Sequence, residues 1–161
     1  MTNNDLFRRL RYILAYSDEQ MSGVFAEERF RIDAQTVADY LKREEEEGFK
    51  EMSDSDMGVF LDGIISRLRG KRESAPDKAA ERRMVPRSNN DKLKKLRIAF
   101  HLEEAAMLKV FKLGGFEINK GELSAFFRKK DHRNYKPLGD QGFRKFLGGL
   151  VEYRKTEKEN G

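Results

Sequence analysis

The chain has no cysteine and no tryptophan among its 161 residues, and only three prolines. Without cysteine there can be no disulfide, no thiolate nucleophile and no thiolate-bound zinc or iron–sulfur centre, and a reducing compartment is the expected setting. Histidine is nearly absent too: His101 and His132 are the only two, which leaves little for an imidazole-based site. Apolar runs are far shorter than a bilayer requires, so no membrane-spanning helix is expected. The first residues, MTNNDLFRRLRYILAYSDEQ, lack the apolar stretch and small-residue cleavage site of a secretory signal. These absences lead to the expectation of a soluble, cytoplasmic protein with no membrane partner.

Charge and hydrophobicity are what the sequence does contain. Charged residues and hydrophobic residues each make up 38% of the chain, a balance typical of a globular protein with a heavily charged surface. Self-similarity is the next feature. Leu10 and Leu96 are 86 residues apart, and the same shift pairs Asn4-Asp5 with Asn90-Asp91, Val24-Phe25 with Val110-Phe111, and Ile32 with Ile118. It continues through Asp54 and Asp140, Phe60-Leu61 and Phe146-Leu147, and Gly63 and Gly149. No insertion breaks the register, so residues 4–70 and 90–155 read as two copies of one domain, which is the reading a repeat search should settle first.

Within each copy the apolar residues recur at helical spacing. Leu6, Leu10, Ile13 and Leu14 form a first stripe, with Asn4 or Asp5 as its expected cap; Met21, Val24 and Phe25 form a second after Ser17-Asp18. Val37, Tyr40 and Leu41 form a third after Asp33, and Val59, Phe60, Ile64, Ile65 and Leu68 a fourth after Ser53-Asp54. The second copy repeats this with expected caps at Asn90 or Asp91, Asn119 and Asp140, since a short polar side chain can take up an orphan backbone N–H. Phe30–Ile32 and Phe116–Ile118 read as buried connectors. The expected fold is all-α: four short helices per copy and about eight in total, with no period-two alternation to suggest strands. The domain boundaries follow as 1–70 for the first copy, 71–89 for a polar basic linker with a helical turn near residues 77–83, 90–155 for the second copy, and a frayed tail at 156–161.

Several segments together carry a resemblance. They are Asn90-Asp91 with Lys94-Lys95-Leu96-Arg97-Ile98-Ala99-Phe100, Glu73-Ser74-Ala75-Pro76, Glu81-Arg82-Arg83, and Asp131-His132 with Asn134-Tyr135. Phe60-Leu61 with Gly63-Ile64, and Phe146-Leu147 with Gly149-Leu150, complete the set. In these segments and their order the chain resembles the YehS-like family of bacterial cytoplasmic proteins, a domain family of unknown function. The resemblance implies tandem copies and brings no assigned activity or site.

The candidate chemistry is thin. His132 beside Asp131 would need a positioned partner and a pocket to act as a base, and no serine or cysteine motif accompanies it. His101 reads as a helix-end residue. Glu44–Glu47 are consecutive, and at most two consecutive helical carboxylates can converge on one ion, so a solvated helix end is the better reading. Asp54 and Asp140 are explained as caps, Gly63 and Gly149 as points of close helix packing, and Gly114-Gly115 as a helix stop. No phosphate-loop pattern is present. No catalytic residue, no metal ligand and no cofactor is assigned, and nothing here argues for an enzyme. Phe25, Phe60, Phe111 and Phe146 are assigned to the core.

Charge is distributed unevenly. Residues 1–70 hold 10 Lys/Arg and 15 Asp/Glu, a balance of −5; residues 71–89 hold 6 and 3, or +3; residues 90–161 hold 17 and 10, or +7. The contrast is sharpest where Arg43-Glu44-Glu45-Glu46-Glu47 aligns with Lys129-Lys130-Asp131-His132-Arg133. One expectation is a non-enzymatic interaction or regulatory module, with a protein partner or self-association through the opposite-charge copies. The alternative is nucleic-acid binding by the basic copy and linker through phosphate contacts. The residues for the latter are Lys94, Lys95, Lys129, Lys130 and Arg133 in the second copy, with Arg82 and Arg83 in the linker. The segment Met107–Lys130 has the gross layout of a helix-turn-helix but fits it loosely.

Overall fold

The computed structural model describes residues 1–70 and 84–160. Among the described residues there are eight α-helices and no strand. The first four are α1 (Asn3–Leu14), α2 (Asp18–Ala26), α3 (Ala34–Leu41) and α4 (Asp54–Arg69). The second four are α5 (Asn89–Ala99), α6 (Glu104–Leu113), α7 (Lys120–Phe126) and α8 (Asp140–Asn160). The chain divides into two compact units, Met1–Arg87 and Ser88–Gly161, each holding one copy. The helical turn expected near residues 77–83 lies outside the described residues, as do Arg82, Arg83 and the Glu73–Pro76 segment.

The C-terminal end of the linker reading shifts slightly. Ser88 already caps α5, so the second copy starts at Asn89, while Pro86 is buried against Gly58 and belongs with the first unit. The tail expected to fray is helical: α8 continues to Asn160. Glu152 and Lys155 pair at 3.7 Å on one face of the helix, and the Thr156 hydroxyl donates to the Glu152 carbonyl at 3.1 Å.

The helix starts are set by short polar side chains. Thr2 accepts from Asp5 N, Ser17 from Gln20 N, Asp33 from Thr36 N and Ser53 from Asp56 N. In the second unit Ser88 and Asn119 do the same for Asp91 N and Glu122 N, each within a reciprocal capping box. The expected caps at Asn4 or Asp5 and at Asn90 or Asp91 are therefore two or three residues too late, because a threonine or serine upstream takes that role. Asp54 and Asp140 are likewise the first residues inside their helices and not the caps. Helix exits repeat as well: Ala15 and His101, 86 residues apart, both stand at φ 56° and so close α1 and α5 with a left-handed residue.

Each unit buries one aromatic cluster. In the first, Phe7 meets Phe60 at 4.8 Å and Tyr40 at 6.0 Å between ring centres, while Phe25 meets Phe60 at 5.3 Å. In the second, Phe111 meets Phe146 at 5.0 Å and Phe126 at 6.0 Å. Phe25, Phe60, Phe111 and Phe146 are fully buried, as expected, each stabilising its unit by about 2–3 kcal/mol of apolar transfer. The Phe30–Ile32 and Phe116–Ile118 connectors are only half-buried at their apolar residues.

Glycine lets the long helix of each unit approach its neighbour. A Cβ on Gly63 of α4 would lie 2.2 Å from the Val24 carbonyl oxygen of α2, and one on Gly149 of α8 would lie 1.9 Å from that of Val110 in α6. Gly114 has the same role from the other side, its would-be Cβ falling 1.8 Å from the Lys145 carbonyl oxygen. The helix stop belongs to Gly115, at φ 83°.

Candidate binding surface: one turn, two opposite charges

The connection between the third and fourth helix of each copy is built the same way twice. In the first unit Asn4 is buried, and its Nδ2 donates to the carbonyls of Tyr40 at 3.0 Å and Lys50 at 2.8 Å. Its Oδ1 accepts from Met52 N at 3.0 Å. Asn90 repeats this in the second unit, donating to the carbonyls of Phe126 and Lys136 and accepting from Leu138 N, all at 2.9 Å. Every hydrogen-bonding atom of a buried amide side chain is thereby used. Asn3 and Asn89 add a second tie, to the carbonyls of Met52 and Leu138 and to the carboxylates of Asp54 and Asp140.

These amides close the base of a compact loop. Lys50 N donates to the Asp39 carbonyl at 3.3 Å and Lys136 N to that of Ala125 at 3.1 Å, so each loop leaves and re-enters at nearly one point. Inside, Glu46 N bonds the Arg43 carbonyl and Phe49 N that of Glu46; His132 N bonds Lys129 and Tyr135 N bonds His132 in the same positions. The two loops share one backbone pattern. Compact loops with joined ends are a frequent place for function, because a rigid base presents an exposed tip.

The tips carry opposite charge. Arg43 to Gly48 are all exposed, and so are Arg128 to Asn134. In the acidic loop Lys42 is taken up by Asp39 at 2.9 Å, and hydrogen bonds from Lys42 and Gln35 hold the Asp39 carboxyl below its ordinary range. Glu46 accepts from Arg43 N at 3.1 Å. Glu44, Glu45, Glu46 and Glu47, like Arg43 beside them, have no ion pair among the described residues. In the basic loop Lys136 pairs with Glu122 at 3.5 Å, while Arg128, Lys129, Lys130 and Arg133 have no ion pair among the described residues.

Of the residues expected to bind phosphate, Lys129, Lys130 and Arg133 are thus brought together on one exposed loop. Arg128 joins them, and only its place in the loop reveals it. Lys94 is exposed on α5, but Lys95 is buried, at 7% exposure. It lies on the same helix stripe as Lys92, Leu96 and Ala99, which are also buried, so the expectation that it meets a phosphate is corrected. Arg82 and Arg83 lie outside the described residues.

The other candidates offer no chemistry. Among the described residues no three His, Asp or Glu side chains gather as metal ligands would, and no helix is long and apolar enough to cross a membrane. The Nδ1 of His132 is occupied, accepting from Asn134 N at 3.0 Å, and His101 is an exposed helix-exit residue. Glu44–Glu47 lie in the loop after α3 and not on a helix end. α6 and the seven-residue α7 are joined by the six residues 114–119, longer than the three- or four-residue turn of a helix-turn-helix.

The sequence model of the family described as "Protein of unknown function (DUF1456)" matches twice, over residues 3–70 and 89–155. The two matches coincide with the two copies. The chain is also similar to a protein described as "Uncharacterized protein YehS" from Escherichia coli strain K12. The two are 38% identical over 158 residues, covering 98% of this chain and 99% of that protein. No solved structure matches.

Proposed function

The chain belongs to this family of unknown function, so we propose its role from the loops themselves: it is a non-enzymatic binding module that uses two copies of one loop, with opposite charges, as two docking surfaces. The basic loop takes an anionic partner and the acidic loop a cationic one. The observation that carries this reading is the reversal of charge at two matched, exposed positions of one backbone, Glu44 against Lys130 and Glu47 against Arg133, which leaves one loop net acidic and the other net basic. Surface charge of one sign with no neighbour to neutralise it raises the encounter rate with an oppositely charged partner. A cytoplasmic setting accords with the absence of cysteine.

Two fluorescent peptides, polyglutamate and polylysine, test the reading by fluorescence anisotropy at low salt. The wild-type chain is expected to bind both. Lys129→Glu with Lys130→Glu is expected to lose polyglutamate and keep polylysine, and Glu44→Lys with Glu45→Lys to do the reverse. Binding of both peptides unchanged in both variants would overturn it.

A second reading has its own support. Four cations on one loop without ion-pair partners, with Lys94 exposed on α5, suit phosphate contact with nucleic acid independent of sequence. The absorbance ratio at 260 and 280 nm of protein purified at low and high salt tests it. With no tryptophan and five tyrosines, even a little bound nucleic acid stands out. Clean protein at low salt sinks this second reading; co-purifying nucleic acid that the Lys129→Glu, Lys130→Glu variant no longer carries supports it.

A further inference from the structure

We infer that the partner of the two loops is a second copy of this chain, with the acidic loop of each protomer seated against the basic loop of the other. The inference rests on the reading of the charged loops as docking surfaces and names their occupant. Three observations point to it. The loops carry opposite formal charge of equal size, none of it ion-paired among the described residues: Arg43 with Glu44, Glu45, Glu46 and Glu47 on one, a balance of −3, and Arg128, Lys129, Lys130 and Arg133 with Asp131 on the other, a balance of +3. Both sets sit on loops with the same closure and the same buried asparagine at the base, so each is presented as a fixed array, which lowers the cost of ordering on contact. And both loops occur once in every chain, so a twofold pair satisfies all of them by making the same contact twice.

The contact predicted is charged and solvent-exposed. Its strength falls steeply with ionic strength, and two such contacts made together hold far better than one. A dimer of this kind is complete at low salt and dissociates as salt rises.

The test is complementation. One variant carries Glu44→Gln, Glu45→Gln and Glu47→Gln; the other carries Lys129→Gln, Lys130→Gln and Arg133→Gln. All six side chains are exposed, so both variants are expected to fold as the parent does, which circular dichroism checks. Sedimentation equilibrium at low salt is expected to show a dimer for the parent and a monomer for each variant alone. An equimolar mixture of the variants is expected to recover heterodimer, weaker than the parent, because one acidic–basic contact remains. A monomeric parent at low salt overturns the inference, and so does a mixture no more associated than its components. The two levels of the account fail separately: a monomeric parent that still binds polyglutamate through Lys129 and Lys130 removes the second copy and leaves the docking surfaces. A parent that is monomeric and binds neither peptide removes both.

Discussion

Asn90 donates its side-chain amide to the carbonyl of Lys136 at 2.9 Å, across 46 residues of chain, and Asn4 does the same to Lys50 at 2.8 Å. The acidic and basic loops are therefore held on their helices by the same buried group. Removing it leaves two carbonyls and one N–H of the loop base without partners. Asn90→Ala is expected to destabilise the second unit by about 2–4 kcal/mol, and Asn4→Ala the first by a similar amount. Urea unfolding followed by amide exchange checks both, with lost protection expected only in the unit that carries the substitution. A cost below about 0.5 kcal/mol, the range of ordinary surface changes, would show that the amide does not hold the loop.

Two neighbouring glycines on α8 are expected to respond in opposite directions. A Cβ on Gly149 meets backbone, 1.9 Å from the Val110 oxygen and 2.8 Å from Gly114 N, whereas one on Gly148 meets nothing within 4 Å. Backbone cannot swing aside as a side chain can, so Gly149→Ala should destabilise by about 2 kcal/mol or more despite the better helix propensity of alanine. Gly148→Ala should be stabilising by up to about 1 kcal/mol. Thermal unfolding of the two single variants measures the contrast. Equal shifts of the same sign would deny that Gly149 is kept for close packing.

Alkaline titration addresses Tyr40. Burial and the hydrogen bond to Asp56, 2.5 Å long, push its hydroxyl well above the ordinary tyrosine range. The folded protein holds this proton more tightly than the unfolded chain does. The stabilisation is thus fully present below about pH 10, the unfolded value, and declines as pH rises further. Tyrosinate absorbance is expected to include a component that develops last, and Tyr40→Phe is expected to remove it. Phenylalanine already fills the matched position 126, where Gly142 stands in place of Asp56. A normalised titration unchanged by Tyr40→Phe would contradict the assignment.

Most of the fold could be read from the sequence because local rules decide it. The stripes Leu6-Leu10-Ile13-Leu14 and Phe60-Ile64-Ile65 announce helices, the 86-residue shift announces the repeat, and Gly63 with Gly149 announces a close helix crossing. Asn4 and Asn90 were harder, since an asparagine near a helix start serves equally as a cap, and its actual partners lie 36 to 48 residues away. The signal was the doublet: Asn3-Asn4 and Asn89-Asn90 match as pairs, whereas a cap needs only one such residue. Lys95 was misplaced for another reason. Charge alone suggests solvent, and the matched Arg9 is indeed exposed, yet Lys95 is buried. The opposite charges of the two loops were plain in the sequence; the shared closure that makes them comparable surfaces was not.

An exchange of the two loop tips tests the central claim most directly. Residues 43–47 would receive Lys-Lys-Asp-His-Arg and residues 129–133 would receive Arg-Glu-Glu-Glu-Glu, leaving the asparagines and the helices as they are. Crosslinking of the bound polyglutamate and polylysine peptides, read by mass spectrometry, locates each on the chain. The account predicts that polyglutamate moves to the first unit and polylysine to the second, following the loops. Peptides that stay with their original units would contradict it, placing recognition in the helices and not in the loops.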